Sequence, residues 1–357
     1  MKNVGVLTLG LKHNYGGILQ ATALYNFLKN TGYNPILVRK YPIQKGWKFI
    51  IIQALESLPF QNFKGIRMAH IKYKNNIHFF DHYMPNQTKI MTYKSEIESY
   101  LNESEIESFI VGSDQVWRYN YINDTEYDTY FLNFNLSKKI KKISYAASFG
   151  LDKWEEPSKK QDIKNYLSDF TAVSVRESSG QKICKNDFRR DDVQLVLDPT
   201  LLIDKSFYLN MIKDRRQENY DCITYILDEN DKKNELVAEI NSKYQHAIKF
   251  NLLSKNSILS IEDWVGSFND TNFVITDSFH GMVFSIIFNK QFIVLINDNR
   301  GRDRFESLCS ILGLEDRLID PNQDIISDFQ PIDYVRVNEN LQTLKVSSNK
   351  FLLDALG

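Results

Sequence analysis

At 357 residues the chain exceeds what one ordinary hydrophobic core holds, so two domains are expected. Its apolar content of 43% is that of a globular protein, and 44 Lys and Arg against 45 Asp and Glu leave a net charge of −1, which excludes a global footprint for nucleic acid and makes any anion site local. Cys184, Cys222 and Cys309 form no CxxC pair and are odd in number, which argues against a disulfide framework or structural metal and for a reducing, cytoplasmic setting, while no apolar run has signal-peptide or membrane-span length.

Residues 4–9 read as a strand, 10–17 as a loop rich in glycine and polar groups, and 18–30 as a helix with Leu19, Ala23 and Phe27 at helical spacing, stopped by Gly32. Residues 36–38 give the next strand, so the chain opens on a βαβ unit. Its loop is not GxGxxG, and a dinucleotide fingerprint is not supported. Residues 39–74 carry eight Lys or Arg and one acidic residue, Glu56, around an apolar run from Trp47 to Leu55. Such a stretch suits peripheral contact with an anionic inner-membrane surface, although an inserted helical pair packed on its own domain is the more ordinary reading.

A strand at 109–111 ends in Gly112-Ser113-Asp114-Gln115-Val116-Trp117. Further strands at 142–148 and 172–175 follow, the latter running into Arg176-Glu177. The strand at 195–197 meets Asp198-Pro199-Thr200, where proline is expected to fix a turn. The polar tract 213–219 leads to a second series: strand 222–227, helix 232–244, strand 247–250, helix 261–268, and the compact βαβ unit of residues 272–305. Residues 332–356 have loose helical spacing and read as a terminal helix. The expected fold is therefore two doubly wound, Rossmann-like α/β domains, 1–203 and 204–330, with a C-terminal helix at 331–357 and a ligand cleft between the domains.

In the unit at 272–305, polar residues are confined to the strand-to-helix turn and the end of the next strand. His280 and Arg300, Arg302 and Arg304, aimed at a helix N-terminus, suggest a phosphorylated or carboxylated ligand. Taken one at a time, Asp277 and Ser278 are ordinary caps, His280 a core histidine, and the arginines solvated.

Assembled in order, six segments resemble the polysaccharide pyruvyl transferase family: Asn14-Tyr15-Gly16-Gly17-Ile18-Leu19-Gln20, Gly112-Ser113-Asp114-Gln115-Val116-Trp117, Ser174-Val175-Arg176-Glu177, Leu197-Asp198-Pro199-Thr200, Thr276-Asp277-Ser278-Phe279-His280-Gly281 and Arg304-Phe305. The resemblance covers roughly residues 4–320. It implies a two-domain GT-B-like fold and transfer of the pyruvyl group of phosphoenolpyruvate onto two hydroxyls of a sugar or lipid-linked oligosaccharide acceptor. The product would be a cyclic pyruvate ketal on a precursor of a bacterial surface polysaccharide, made at the cytosolic side of the membrane without metal or resident cofactor. Other branches of the family look like Asp-Arg-Leu-His where this chain has Asp277-Ser278-Phe279-His280, so an expected arginine is replaced by Ser278.

On this reading Arg176, Arg302, Arg304, Ser278 and His280 hold phosphoenolpyruvate, and His280 either delivers a proton or contacts the departing phosphate. A histidine suits proton transfer, its ordinary pKa of about 6.5 lying near working pH. Asp114 deprotonates or orients the acceptor hydroxyl, or simply caps a helix. His13, Asn14, Tyr15, Gly16, Gly17 and Gln115 face the acceptor, with Trp117 offering a stacking surface unless it packs in the core. Asp198 is read as shaping its turn. Alanine at His280 or Arg176 is expected to abolish transfer and spare the fold. The competing readings are a GT-B glycosyltransferase using a nucleotide sugar and a non-catalytic glycan-binding protein.

Overall fold

The computed structural model describes residues 1–11, 14–41, 78–122, 126–242, 247–250, 259–297, 300–322 and 330–357. His13 and nearly all of the basic stretch at 39–74 lie outside the described residues. The inner strands, short and rich in Val and Ile, are buried on both faces over most of their length, the pattern of parallel strands covered by helices. β1 (Asn3–Leu7), β2 (Asn34–Val38), β3 (Ile106–Val111), β4 (Lys141–Ala147), β5 (Ala172–Val175) and β6 (Gln194–Leu195) form a parallel sheet in the order β2-β1-β3-β4-β5-β6. β7 (Tyr220–Tyr225), β8 (Ala247–Phe250), β9 (Thr271–Thr276), β10 (Gln291–Leu295) and β11 (Leu318–Ile319) form a second parallel sheet, ordered β11-β10-β9-β7-β8. The architecture is the two-domain α/β arrangement expected.

The first sheet is dressed by α1 (Tyr15–Asn30), α2 (Lys94–Glu103), α3 (Tyr119–Ile122), α4 (Lys160–Ser168) and α5 (Ser178–Phe188). Two further helices, α6 (Pro199–Leu202) and α7 (Lys205–Met211), fill the passage from Leu195 to Tyr220. The second sheet carries α8 (Asp231–Asn241), α9 (Ile261–Asn269), α10 (Phe279–Ile287) and α11 (Asp303–Leu312), and α12 (Tyr334–Leu356) closes the chain. None of the described helices is long and apolar enough to cross a membrane.

Strand order reverses between β1 and β3 in one sheet and between β7 and β9 in the other. At such switch points the loops leaving neighbouring strands diverge and open a crevice at their carboxyl ends. The loops after β1 and β3 carry Asn14 and Asp114, and the turn after β9 leads into α10, whose first turn carries His280.

Two local expectations are corrected. Gly16 and Gly17 lie in the first turn of α1, which starts at Tyr15 with Asn14 at its N-cap, so the glycines serve close packing. Pro199 opens a helix: it occupies the first position of α6, where its missing N–H costs nothing, and the Asp198 side chain accepts from Thr200 N.

The domains share one core. Ile18 and Leu24 of α1 belong to the same apolar cluster as Trp264 of α9 and Met282 and Phe284 of α10. Polar ties join them too. Ser178 N and Ser179 N, the free donors opening α5, give their hydrogen bonds to Ser307 Oγ and Asp303 Oδ2 of α11, both at 3.0 Å. α12 starts on the second domain, where Tyr334 donates to the Lys290 carbonyl, and ends on the first, where Ser348 Oγ accepts from Leu197 N at 3.0 Å and Lys141 reaches the Leu356 carbonyl.

Candidate active site

The first domain contributes a polar network built on Gln20. This side chain is buried between Leu19 and Ala21, donates to Thr8 Oγ1 (2.9 Å) and Gly17 O (2.8 Å), and accepts from Ser113 N (2.9 Å). One amide thus fixes the ends of β1, α1 and β3 together. Asp114 follows with φ of +73°, a backbone conformation rare outside glycine, held by Ser148 N donating to its carbonyl at 3.0 Å. Its carboxylate faces Asn14 Nδ2 (3.4 Å) and Arg176 Nη2 (3.5 Å).

Asp198 sits beneath. One oxygen accepts from Thr200 N (3.0 Å) and Thr200 Oγ1 (2.7 Å); the other accepts from Arg176 Nη1 (2.8 Å) and lies 3.3 Å from Ser113 Oγ. Burial opposes its charge, but His280, Arg176 and the Thr200 hydroxyl prevail and hold the carboxyl well below the usual range.

The second domain inserts the first turn of α10 into this network. Ser278 caps the helix by accepting from Gly281 N (3.3 Å). Next comes His280, whose ring packs on Gly16 of α1: a Cβ there would fall 2.0 Å from His280 Nδ1. Nε2 of His280 is 3.7 Å from Asp198 Oδ2, an ion-pair separation, and has no hydrogen-bond partner. Asp198 thus brings a carboxylate from the other domain to the start of α10.

Arg304 of α11 completes the cluster. Its N–H groups reach the carbonyls of Gly301 and Arg300, and among the described residues no carboxylate is in ion-pair contact with it. Burial, then repulsion from Arg176, pulls its pKa down to about 10. Arg176, also buried, has Nε and Nη2 without hydrogen-bond partners. Glu177 lies nearby: Phe149 N donates to its Oε1 at 2.8 Å, Oε2 has no partner, and burial raises its pKa.

The structure brings together Asp114, Arg176, His280 and Arg304, with Asn14 exposed at the edge. Other candidates are placed elsewhere. Trp117 is fully buried, stacks on Phe131 at 5.5 Å and donates to the Tyr130 carbonyl, so it presents no face to a sugar. Tyr15 stacks on Trp264 at 5.5 Å and its hydroxyl donates to the Leu259 carbonyl at 2.7 Å, making it a domain-junction residue. Arg302 is exposed and pairs with Glu306 one turn along its own helix. Ser278 is spent on its cap, and Gln115 accepts from Arg118 Nη1 at 2.9 Å against Gly150. Gly17 packs on the Asn14 side chain. Arg300 is bidentate to Asp228, and Asp277 accepts from Leu227 N, Asp228 N and Lys233 Nζ rather than capping α10. Beside Arg176, Asp198 and Phe279 lies a cavity of about 50 Å³. Among the described residues no three His, Cys, Asp or Glu side chains are grouped to hold a metal ion.

The family model for polysaccharide pyruvyl transferase matches residues 14–299. The chain belongs to this family. The match spans Asp114, Arg176, Asp198 and His280 of this pyruvyl transferase family member and ends before Arg304, whose place in the site rests on geometry. No curated protein sequence matches the chain. Among solved structures, S. aureus MnaA in complex with UDP is similar at 11% identity and a TM-score of 0.51, over 96% of this chain and 88% of that one. Neisseria meningitidis UDP-GlcNAc 2-epimerase bound to UDP-GlcNAc is similar at 11% identity and a TM-score of 0.48, over 100% and 99%. The shared fold is GT-B, the fold expected from the sequence.

Asp198, Gln20, Ser113 and Phe279 gained importance only here. The available signal was a polar residue in an apolar context: Gln20 in a helix whose neighbours are apolar, and Asp198 after an apolar strand. Gly16→Ala is expected to cost ~1–3 kcal/mol by overpacking and, by displacing His280 on the order of 1 Å, to cut turnover ~10²-fold. Melting temperature and initial rate measured on one preparation check it; unchanged turnover would remove the Gly16–His280 contact from the site.

Proposed function

We propose that this family member transfers the pyruvyl group of phosphoenolpyruvate to two hydroxyls of a sugar, giving a cyclic ketal and phosphate. The observation that carries the reading is the buried pairing of Arg176 and Arg304, one from each domain, with unpartnered donors on Arg176 and on His280. Buried cations with unused donors call for an anion, and a ligand bearing both a carboxylate and a phosphate suits two guanidiniums. Ser278 supplies no charge, and Arg304 takes the place of the arginine expected there.

In the proposed reaction His280 gives its proton to the methylene carbon of phosphoenolpyruvate, turning CH2 into CH3 and leaving an oxocarbenium-like centre at C2. The first sugar hydroxyl forms a C–O bond to C2 and yields its proton to Asp114. The bond between C2 and the phosphate oxygen then breaks, phosphate leaves against the arginines with the proton held by Asp114, and the second hydroxyl closes the ketal on C2 while its proton returns to the His280 imidazole. Asp198 stabilises the protonated imidazole before transfer. Asn14 and the exposed Tyr121, which lies over Arg118 at 4.6 Å, are proposed to face the acceptor. Phosphoenolpyruvate is a substrate here, and no resident cofactor is invoked.

Thermal unfolding with and without millimolar phosphoenolpyruvate, beside a panel of nucleotide diphosphates, tests the donor. A ligand at 100 times its Kd adds about 2.7 kcal/mol of stability, read as a clear rise in Tm. Protection by phosphoenolpyruvate is expected. Protection by a uridine nucleotide alone would favour a nucleotide-sugar glycosyltransferase, and glycan binding without phosphate release would favour a non-catalytic role.

A further inference from the structure

Phe279, the first residue of α10, is buried and has no role in the reaction as drawn above. It nevertheless touches both cations. The Arg176 guanidinium carbon lies over its ring at 4.5 Å from the centroid, and that of Arg304 at 5.5 Å. Phe305, beside Arg304 in sequence, meets the Phe279 ring edge-on at 6.0 Å and fixes its orientation. Two like charges from different domains are thus buried around one aromatic ring. Arg304 has no carboxylate contact among the described residues, so the ring's negative face is one of few groups available to it besides backbone carbonyls.

We propose that Phe279 is a positioning residue for the anion site: its π face holds the guanidiniums of Arg176 and Arg304 at the spacing that receives the donor. The inference rests on the reading that the cluster binds a phosphorylated, carboxylated donor. A carboxylate at the same position would hold the arginines more tightly but would compete with that donor for them. An aromatic ring holds cations without consuming their hydrogen-bond donors. That is why a neutral π face suits a site that must stay ready for an anion.

The test compares wild type, Phe279→Leu and Phe279→Tyr. Leucine keeps apolar bulk and removes the π face; tyrosine keeps the face. Binding of phosphoenolpyruvate and of inorganic phosphate is read by ligand-dependent Tm shift and titration, and KM and kcat are measured for phosphate release. Phe279→Leu is expected to weaken both ligands ~10-fold, with KM rising more than kcat falls, and Phe279→Tyr to restore most of the affinity. Wild-type affinity in Phe279→Leu, or a Phe279→Tyr variant as weak as Phe279→Leu, overturns the proposal. If Phe279→Leu does not fold, Phe279→Met takes its place with the same expected outcomes. Failure of the wild type itself to bind phosphoenolpyruvate or phosphate would overturn the functional reading and this inference together, whereas wild-type binding with an indifferent leucine variant overturns this inference alone.

Discussion

His280→Ala is expected to lower ketal formation by ~10²- to 10⁴-fold, the usual contribution of a positioned proton-transfer group. The protein should still fold. Asp198 loses the imidazole but keeps Arg176 Nη1 and both Thr200 donors, so the loss of stability should be ~1–3 kcal/mol, that of a buried polar contact. Release of inorganic phosphate from phosphoenolpyruvate in the presence of a diol-bearing sugar acceptor measures the rate. The same variant separates the two roles open to His280. A proton donor can be removed while the donor substrate still binds, so the Tm shift with phosphoenolpyruvate would persist without turnover. A phosphate contact would take the shift with it. Wild-type turnover in a folded His280→Ala protein would eliminate the residue from the chemistry.

Arg176→Ala is expected to behave differently from the simple inactive variant that the sequence suggested. Its guanidinium is the shared counter-charge of Asp198 at 2.8 Å and Asp114 at 3.5 Å, all three groups being buried. Removing one member of a buried ion pair leaves the other uncompensated and typically costs ~3–5 kcal/mol, a large share of the 5–15 kcal/mol that holds an ordinary protein together. The urea midpoint should fall with little change in slope. Asp198→Asn added to Arg176→Ala retains an oxygen to cap α6 but removes the stranded charge, and should recover part of the lost stability without recovering activity. If the double variant is no more stable than Arg176→Ala, the cost lies in lost packing on Phe279 and not in the charge. Arg176→Lys is then the better probe of ligand binding, since it keeps the charge and loses only the fork.

The strands and helices were legible because each has a clear period and clear punctuation. The brief helix after Thr276 is largely apolar, which fits its full burial in the shared core, and Gly32 and Gly313 at positive φ close helices as such residues do. His280, Arg176 and Asp114 were legible as candidates because each is polar near the carboxyl end of an apolar strand, where α/β proteins bind ligands. Trp117, for which core packing was the open alternative, lies in the core, and Tyr15 joins the domains, for the converse reason. Both adjoin those loops in sequence, but a side chain next to a loop points either to the crevice or to the core, and one residue of rotation decides which.

Taken alone, the sequence determined two parallel-sheet domains, a terminal helix, the family motifs, and the local nature of any anion site, because period, capping and charge are properties of short segments. Tertiary structure alone decided that Asp198 faces His280 from the other domain, that Gly16 is small to admit the imidazole, that Arg304 and not Arg302 joins Arg176, and that Phe279 touches both guanidiniums. These are contacts between residues far apart in the chain. Their geometry depends on how α1 and α10 meet across the shared core, and that packing leaves no mark on either segment by itself.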